Sequence, residues 1–267
     1  MTGVDQTTPD PARRYNVLLG GKDNFAADRE SAAAIQKEFS SVAVAARENR
    51  AFMLRAVHHL AADRGIRQFL DIGVGMPMAT NLHEVAQRVD PACRILYVDH
   101  EPMVAAHARA LLTSTPEGKV AFAEADLRDP DTILDHARTG DTLDMNQPIA
   151  LVLAAVLHFC TDQDDPYAAV RTLVDALPSG SYLVISHATF DPLPDDVRAS
   201  LTALAAPGAG HGPFQARTRA QVATFFDGLD IEEPGIVSTV DWHPNREPRA
   251  EGEPHHAICY AAIGKRP

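Results

Sequence analysis

The sequence has few cysteines and few aromatic residues. It contains three cysteines and one tryptophan among 267 residues, and aromatic side chains make up 6% of the chain. Cys93, Cys160 and Cys259 lie far apart and form no CxxC pair. This spacing suggests neither a disulfide framework nor a zinc knuckle, and it is typical of a protein from the reducing cytoplasm. The histidines form no recognisable ligand set, so we predict no metal site.

Long apolar runs and an excess of positive charge are also missing. The longest apolar run, "IALVLAAVL" from Ile149, is too short to span a bilayer, and no basic segment followed by an apolar stretch opens the chain. We therefore expect a soluble, cytoplasmic protein without a membrane partner. The 24 Lys and Arg residues are outnumbered by 36 Asp and Glu residues, which gives a formal net charge of -12. Such a surface repels phosphate backbones, so no nucleic-acid partner is expected.

Three segments of different character follow one another along the chain. Residues 1–10 are polar and are expected to form a disordered tail. Residues 11–65 have the Ala-rich pattern of helices, with breaks at "GG" and near Ser40. Residues 66–267 alternate short apolar runs with amphipathic stretches, as in "RQFLDIG" followed by "ATNLHEVAQRV". We predict an N-terminal helical region followed by one ligand-binding domain.

The alternating region has the pattern of an α/β fold. Strands such as "CRILYVD" and "SYLVISHAT" are apolar nearly throughout, which is typical of a parallel sheet covered on both faces by crossover helices. Near the C-terminus, "GIVSTVDW" and "HHAICYAAIG" have no room between them for a crossover helix, so we expect antiparallel pairing. The predicted fold is a doubly wound, mainly parallel sheet with an antiparallel C-terminal strand pair. The Gly-rich segment 206–214 is expected to be a mobile loop.

Acidic residues and glycines stand where the first three predicted strands end. Asp71, Gly73 and Gly75 follow the first strand in "LDIGVGMPMATN", Asp99 ends the second strand, and Asp126 ends the third. Ligands of open α/β folds bind at this edge of the sheet, and glycines let a ligand approach the backbone. A GxG turn alone is a weak signal, because a tight turn also requires glycine. Asp99 has a second interpretation as the cap of the next helix.

This row of acidic residues suits a ligand with a ribose, an adenine and a cationic amino-acid tail. The carboxylate of Asp99 can accept hydrogen bonds from both ribose hydroxyls, and Asp126 with the backbone amide of Leu127 can read an adenine edge. The same row repels a pyrophosphate, and Met78 stands where a dinucleotide site requires a third glycine. An NAD-dependent oxidoreductase, which shares the GxG turn and Asp99, is the alternative.

The motifs "DIGVG", "VDHEP" and "ADL" resemble those of class I S-adenosylmethionine-dependent methyltransferases over about residues 66–190. Longer segments, including "LLGGKDNFAADRE" and "VLHFCTDQDDP", are similar to the actinobacterial S-adenosyl methyltransferase family (DUF574-like), whose substrates are mostly unassigned. The resemblance implies a Rossmann-like class I methyltransferase fold with S-adenosyl-L-methionine as cofactor and S-adenosyl-L-homocysteine as product. The cofactor site then comprises the strand-end residues and His100, and a small molecule accepts the methyl group. A protein that binds the cofactor without turnover is a second alternative.

The N-terminal stretch "LLGGKDNF" has two interpretations. From the residues alone, one glycine ends a helix in a left-handed conformation, and Asp23 caps the next helix. The resemblance instead implies a helical lid across the carboxyl edge of the sheet. Tyr15, Asn24 and Phe25 would then contact the cofactor and exclude water. We predict the lid.

Two histidines lie near the position expected for a methyl acceptor. His158 follows the fourth predicted strand, and His187 lies just beyond the fifth. Imidazole titrates near working pH, so either side chain is a candidate for removing a proton from a hydroxyl or amine. The alternative is that both are structural, because a sulfonium is an activated methyl donor and positioning alone does much of the work.

Overall fold

The computed structural model describes residues 4–267 and begins with the predicted helical region. Asp10 caps the first helix by accepting hydrogen bonds from the amides of Ala12 and Arg13 at 2.8 and 3.1 Å, and Pro11 opens the helix. The double glycine separates the first two helices, as expected from the sequence. These helices are α1 (Pro11–Leu18), α2 (Ala26–Glu38) and α3 (Val42–Asp63).

Within the described residues, eight strands form a single, mostly parallel sheet. The strands are β1 (Gln68–Ile72), β2 (Arg94–Asp99), β3 (Lys119–Glu124), β4 (Ala150–Ala154), β5 (Tyr182–Ala188), β6 (Asp230–Ile231), β7 (Val237–Ser238) and β8 (Cys259–Lys265). Their order is β3-β2-β1-β4-β5-β8-β6, with β7 also paired to β8. The first five strands are parallel, and β8 runs antiparallel to β5 along its whole length. Every residue of β1 and of β5 is buried, because helices cover both faces of the sheet.

Helices pack on the two faces in separate apolar clusters. One face carries α3 and the single tryptophan, Trp242, whose ring centroid lies 5.2 Å from that of Phe52. α3 therefore belongs to the core of the α/β fold, although the predicted boundary at residue 65 falls just after it. The remaining helices are α4 (Leu82–Val89), α5 (Pro102–Leu111), α6 (Pro130–Thr139), α7 (Pro166–Asp175), α8 (Asp195–Leu204), α9 (Arg219–Thr224) and α10 (Pro254–Ala257). α6 and α7 pack on the opposite face.

The antiparallel C-terminal pair is present but shorter than the sequence pattern indicated. β7 contains only Val237 and Ser238, which pair with the middle of β8. The predicted strand "HHAICYAAIG" begins only at Cys259, because the histidine pair lies in α10 and Ile258 ends that helix with a left-handed φ of 31°. The pairing of β8 with β5 depends on tertiary docking and was not evident from the sequence.

The N-terminal tail is described from residue 4 onward. The Arg13 guanidinium donates hydrogen bonds to the backbone oxygens of Asp5 and Thr8 at 3.1 and 2.9 Å. Residues 4–10 thus contact α1, and the disorder expected for the tail stays a prediction. Residues 1–3 of that tail lie outside the described residues. Across residues 4–267, the helices are too short or too polar for any of them to cross a membrane.

Candidate active site

A cleft of about 300 Å³, here called the strand-end cleft, opens at the carboxyl edge of the parallel strands. The turns after β1, β2, β3 and β4 meet there, because parallel strands end at the same edge of a sheet. The beginning of α1 and part of α3 complete its wall. Most of the residues predicted to bind the cofactor line this cleft: Tyr15, Asp71, Gly73, Gly75, Asp99, His100, Asp126 and Leu127.

The two glycines after β1 have different roles. Both have left-handed φ angles, +76° at Gly73 and +65° at Gly75. A Cβ at Gly73 would lie 2.5 Å from Cγ2 of Val156, so this glycine is needed for packing. A Cβ at Gly75 would have only Ala12 within 4 Å, at 3.9 Å. Gly75 therefore presents bare backbone to the cleft, where a ligand can approach closely.

Asp99 is held rigidly at the end of β2. Its Oδ2 accepts a hydrogen bond from the amide of Gly75 at 2.9 Å, and its Oδ1 accepts one from the amide of Glu101 at 3.0 Å. Burial raises the pKa of Asp99, and these two hydrogen bonds oppose the rise. Each carboxylate oxygen keeps a further lone pair, so the fixed carboxylate can still accept hydrogen bonds from a ligand in the cleft.

Asp71 is a buried carboxyl group without a hydrogen-bond partner among residues 4–267. Burial raises its pKa to about 7, with the positive charge of Arg50 opposing the rise and the negative charge of Asp99 adding to it. Because Arg50 offsets only part of this desolvation, ionised Asp71 gains from a further cationic partner. Asp71 thus suits the ammonium group of an amino-acid tail.

Asp126 has a different environment from the other two acids. Arg128 donates to it from both the backbone amide and the guanidinium, with the backbone contact at 2.9 Å. Burial raises the pKa of Asp126, but the hydrogen bonds from Arg128 outweigh burial and lower it overall. Asp126 is therefore charged and already paired with Arg128. Leu127, whose backbone amide is predicted to read the adenine edge, also lines the cleft.

The stretch "LLGGKDNF" does not itself reach the strand-end cleft. It folds around the buried side chain of Asn16, whose Oδ1 accepts hydrogen bonds from the Asp23 amide at 3.1 Å and from Nδ2 of Asn24 at 3.0 Å. A Cβ at Gly21 would lie 2.2 Å from the Asn16 amide nitrogen, so this turn requires glycine. Asn24 and Phe25, predicted to touch the cofactor, line neither cavity at the sheet edge. The first turn of α1 lies over the cleft in their place.

A second cavity of about 150 Å³, here called the apolar cavity, adjoins the strand-end cleft. Its wall consists mainly of hydrophobic side chains from α1, α2, α3 and α8 and from the Gly-rich segment 206–214. That segment, predicted to be a mobile loop, supplies His211 and Phe214. The residues shared by the two cavities are Pro11, Tyr15, Asn49, Ala155 and Phe159. A ligand in the cleft and one in the apolar cavity would meet at this shared wall.

A chain of hydrogen bonds fixes the shared wall. Tyr15 donates its hydroxyl proton to the Ala46 carbonyl and accepts a hydrogen bond from Nδ2 of Asn49, both at 2.8 Å. The Oδ1 of Asn49 accepts from the Ser186 hydroxyl, which in turn accepts from the Ala155 amide at 2.9 Å. This bond helps to hold Ala155 at a left-handed φ of 56°. Burial raises the pKa of Tyr15 to about 12, so the phenol stays neutral.

Asn49 was not among the residues singled out in the sequence. It lies in α3 on the same face as Phe52, Met53 and Ala56, which pack against the sheet. A buried side-chain amide on an otherwise apolar helix face must find hydrogen-bond partners. The position of Asn49 on such a face is the feature of the sequence that could have identified it. Its partners come from α1 and β5, which are distant in the sequence.

His158 lines the apolar cavity. Its Nδ1 accepts a hydrogen bond from the Ala188 amide at 3.4 Å, so Nε2 carries the proton in the neutral ring. Burial lowers the pKa of His158 well below its usual value, and neighbouring basic groups add to this effect. In this state Nε2 of His158 carries a proton that it can donate to a ligand, and it cannot accept one.

His187 lies outside both cavities and is fully buried. Its Nδ1 donates to the Ala188 carbonyl at 2.8 Å, and its Nε2 accepts from Nη1 of Arg217 at 2.9 Å. Burial, together with the positive charge of Arg217, lowers the pKa of His187 to about 3. Both ring nitrogens are engaged in protein contacts, so the structure does not place His187 where a methyl acceptor could touch it.

The sheet order, the antiparallel strand inserted beside β5 and the acidic cleft at the carboxyl edge are those of the class I methyltransferase fold. The family model described as S-adenosyl methyltransferase matches residues 1–267, and the chain belongs to this family. The family and fold expected from the sequence motifs are confirmed, and the protein is an S-adenosylmethionine-dependent methyltransferase.

Solved structures agree with this assignment. A DUF574 family protein from Streptomyces avermitilis MA-4680 is 43% identical, with a TM-score of 0.93 over 99% of this chain and 100% of that one. A proposed methyltransferase from Thermobifida fusca YX is 37% identical, with a TM-score of 0.87 over 99% and 97% of the two chains. An O-methyltransferase family protein from Burkholderia thailandensis shares the fold, at 17% identity and a TM-score of 0.52 over 85% and 58%. No curated protein matches the chain.

Proposed function

We propose that this methyltransferase acts on a small-molecule acceptor that occupies the apolar cavity. The observation that carries the proposal is the wall shared by the two cavities, which contains Tyr15, Ala155 and Phe159. A ligand with its reactive end at this wall would present that end to a second ligand on the apolar side. The apolar cavity is a concave space of about 150 Å³ lined by helices and a loop of the chain itself, which favours a small molecule over a macromolecule.

The residues of the strand-end cleft fit S-adenosylmethionine. Asp99 would hold the ribose hydroxyls, Asp71 the ammonium group, and the surface at Asp126 and Leu127 the adenine. The bare backbone of Gly75 leaves room for the amino-acid tail. When bound, S-adenosylmethionine supplies a methyl group activated by its positive sulfur. The buried carboxyl of Asp71, which has no hydrogen-bond partner among residues 4–267, favours such a cationic ligand.

The chain contributes positioning and exclusion of water. Tyr15 and Asn49 hold the wall between the two ligands in one arrangement, because their polar atoms are engaged with each other and with the backbone. His158 would donate a hydrogen bond from Nε2 to the acceptor and orient its reacting atom. Acting as a base would require the other tautomer, at the cost of the contact with the Ala188 amide. We therefore propose His158 as a positioning residue and assign His187 to holding Arg217.

The two other functions considered for this sequence gain nothing from the geometry. Met78 stands at the position where a dinucleotide site requires a third glycine. Its sulfur lies 3.9 Å from the side-chain amide nitrogen of Asn16. A binding protein without turnover would have no use for a second cavity at the reactive end of its ligand.

Replacing Asp99 with Ala should weaken binding of S-adenosylhomocysteine by roughly 10- to 100-fold, the usual effect of losing hydrogen bonds to a charged group. Calorimetric titration measures the change. Asp135→Ala, which removes an exposed carboxylate on α6, is the matched control and should bind normally. An affinity of Asp99→Ala within twofold of the control would remove Asp99 from the ribose site.

We also propose that α1 covers the cofactor, while part of α3 and residues 66–267 provide the rest of its site. Hydrogen exchange at residues 12–15 should then slow by about tenfold or more at saturating S-adenosylhomocysteine, because a ligand under α1 opposes its opening. Residues 219–224 of α9 are the internal control, since they line neither cavity. Equal exchange at residues 12–15 with and without ligand would contradict the lid.

A further inference from the structure

Arg14 is an unusual member of the wall of the apolar cavity. Of the described residues that line this cavity, it is the one with a permanent charge. Its side chain is 5% exposed. Nearly all of the remaining wall is hydrophobic, so the guanidinium lies in surroundings that solvate a cation poorly.

The hydrogen bonds of Arg14 leave part of the guanidinium free. Its Nη1 donates to the Ser31 hydroxyl at 3.2 Å and to the His211 carbonyl at 2.7 Å. Within residues 4–267, Nε and Nη2 have no acceptor, and no carboxylate lies within 4.0 Å of the group. These two nitrogens form the edge of a guanidinium that binds a carboxylate through two parallel hydrogen bonds.

The neighbouring Arg13 shows that this arrangement is specific to Arg14. Arg13 pairs with Asp28 at 3.0 Å and with Glu101 at 2.7 Å. Asp28 is thereby engaged, and Asp10 caps α1. Both acids act on Arg14 only from a distance, and burial lowers the pKa of Arg14 against their attraction. The chain thus buries a cation and leaves its counter-charge unsupplied, which is costly unless a ligand provides it.

Aromatic rings surround the same space. The Arg14 guanidinium carbon lies 5.9 Å from the ring centroid of Phe159. Phe214 stacks on Phe190 at 6.0 Å and lies 5.1 Å from His158. Flat faces of this kind favour an apolar or aromatic body in the ligand. His158 offers its Nε2 proton to a polar group of that body.

We propose that the methyl acceptor is an apolar or aromatic carboxylic acid whose carboxylate pairs with Nε and Nη2 of Arg14. Its ring occupies the space between the phenylalanines, and its reacting group lies toward the shared wall at Tyr15 and Ala155. This assignment rests on the proposed function for its identity as the acceptor. The charge selection itself rests on Arg14 and can be measured without turnover.

Calorimetric titration of the full-length protein with trans-cinnamate and with cinnamamide, each in the presence of S-adenosylhomocysteine, tests the charge selection. The two probes share one shape and differ in charge, so we expect cinnamate to bind at least about tenfold more tightly. Equal binding of the two probes, or tighter binding of the amide, would overturn the inference while leaving the methyltransferase function intact. Failure of S-adenosylhomocysteine itself to bind would instead overturn the proposed function, and the acceptor assignment with it.

Two variants test whether Arg14 is the residue that selects the carboxylate. Arg14→Gln should bind cinnamate and cinnamamide equally, whereas Arg171→Gln, which removes an exposed arginine of α7, should keep the preference for cinnamate. A preference that persists in Arg14→Gln would show that another group selects the anion and would overturn the assignment. Because the comparison of the two probes on the unmodified protein needs no variant, poor folding of Arg14→Gln would leave the test standing.

Discussion

Gly75→Val should bind no detectable S-adenosylhomocysteine at concentrations that saturate the unmodified protein, while the chain remains folded. Gly75 lines the strand-end cleft, and a Cβ there would meet no protein atom closer than Ala12 at 3.9 Å. The added side chain would therefore occupy space that we assign to the amino-acid tail of the ligand. Calorimetry measures binding, and circular dichroism measures folding.

Gly65→Val is the matched control for this variant. Gly65 has a φ of +70°, close to the +65° of Gly75, and a Cβ there would have no atom within 4 Å. Both variants carry similar backbone strain, of about 1–3 kcal/mol. Gly65 follows α3 at the opposite edge of the sheet, so its variant should bind normally. Unfolding of Gly75→Val alone, or normal binding by it, would contradict the assignment of this glycine to the ligand site.

Asp71→Asn should have opposite effects on ligand binding and on stability. The pKa of Asp71 is about 7 in the folded chain against 3.8 for the free side chain, so the folded state favours the protonated form. Ionised Asp71 thus destabilises the ligand-free fold increasingly as pH rises from about 4 to 7, by up to about 4 kcal/mol above pH 7. The neutral amide avoids this cost, and we expect a melting temperature several degrees higher at pH 8. Thermal denaturation without ligand measures it.

The same substitution should weaken binding of S-adenosylhomocysteine by at least about tenfold at pH 8, because the amide cannot pair with an ammonium group as a charge. The affinity of the unmodified protein should fall as pH drops below about 7, where Asp71 becomes protonated, and that of Asp71→Asn should stay level. A variant that loses stability at pH 8, or a parallel pH profile in both proteins, would contradict the role given to Asp71.

Parallel topology explains why much of the site could be predicted from the sequence. Short apolar strands alternating with helices place every strand end at one edge of the sheet, whatever the details of packing. Asp71, Asp99 and Asp126 each end or nearly end such a strand, so their meeting in one cleft follows from local pattern alone. The glycines of the first turn could be placed for the same reason.

Helix docking explains what could not be predicted. The predicted lid contacts were Tyr15, Asn24 and Phe25. Tyr15 of α1 lines the cleft, whereas the segment after α1, with Asn24, closes on Asn16. That choice depends on long-range contacts such as the ion pair of Arg13 with Glu101. His187 likewise has the right position in the chain, but its ring turns to Arg217. The sequence pattern does not indicate in which direction a side chain near a strand end points.

The most direct test of the account is a crystal structure of the protein with S-adenosylhomocysteine. We expect the ribose hydroxyls on Asp99, the amino group beside Asp71, and the sulfur at the wall formed by Tyr15, Ala155 and Phe159, facing the apolar cavity. That position would put the methyl group next to the proposed acceptor site. A ligand bound with its sulfur turned away from this wall, or bound outside the strand-end cleft, would contradict the central claim that methyl transfer occurs where the two cavities meet.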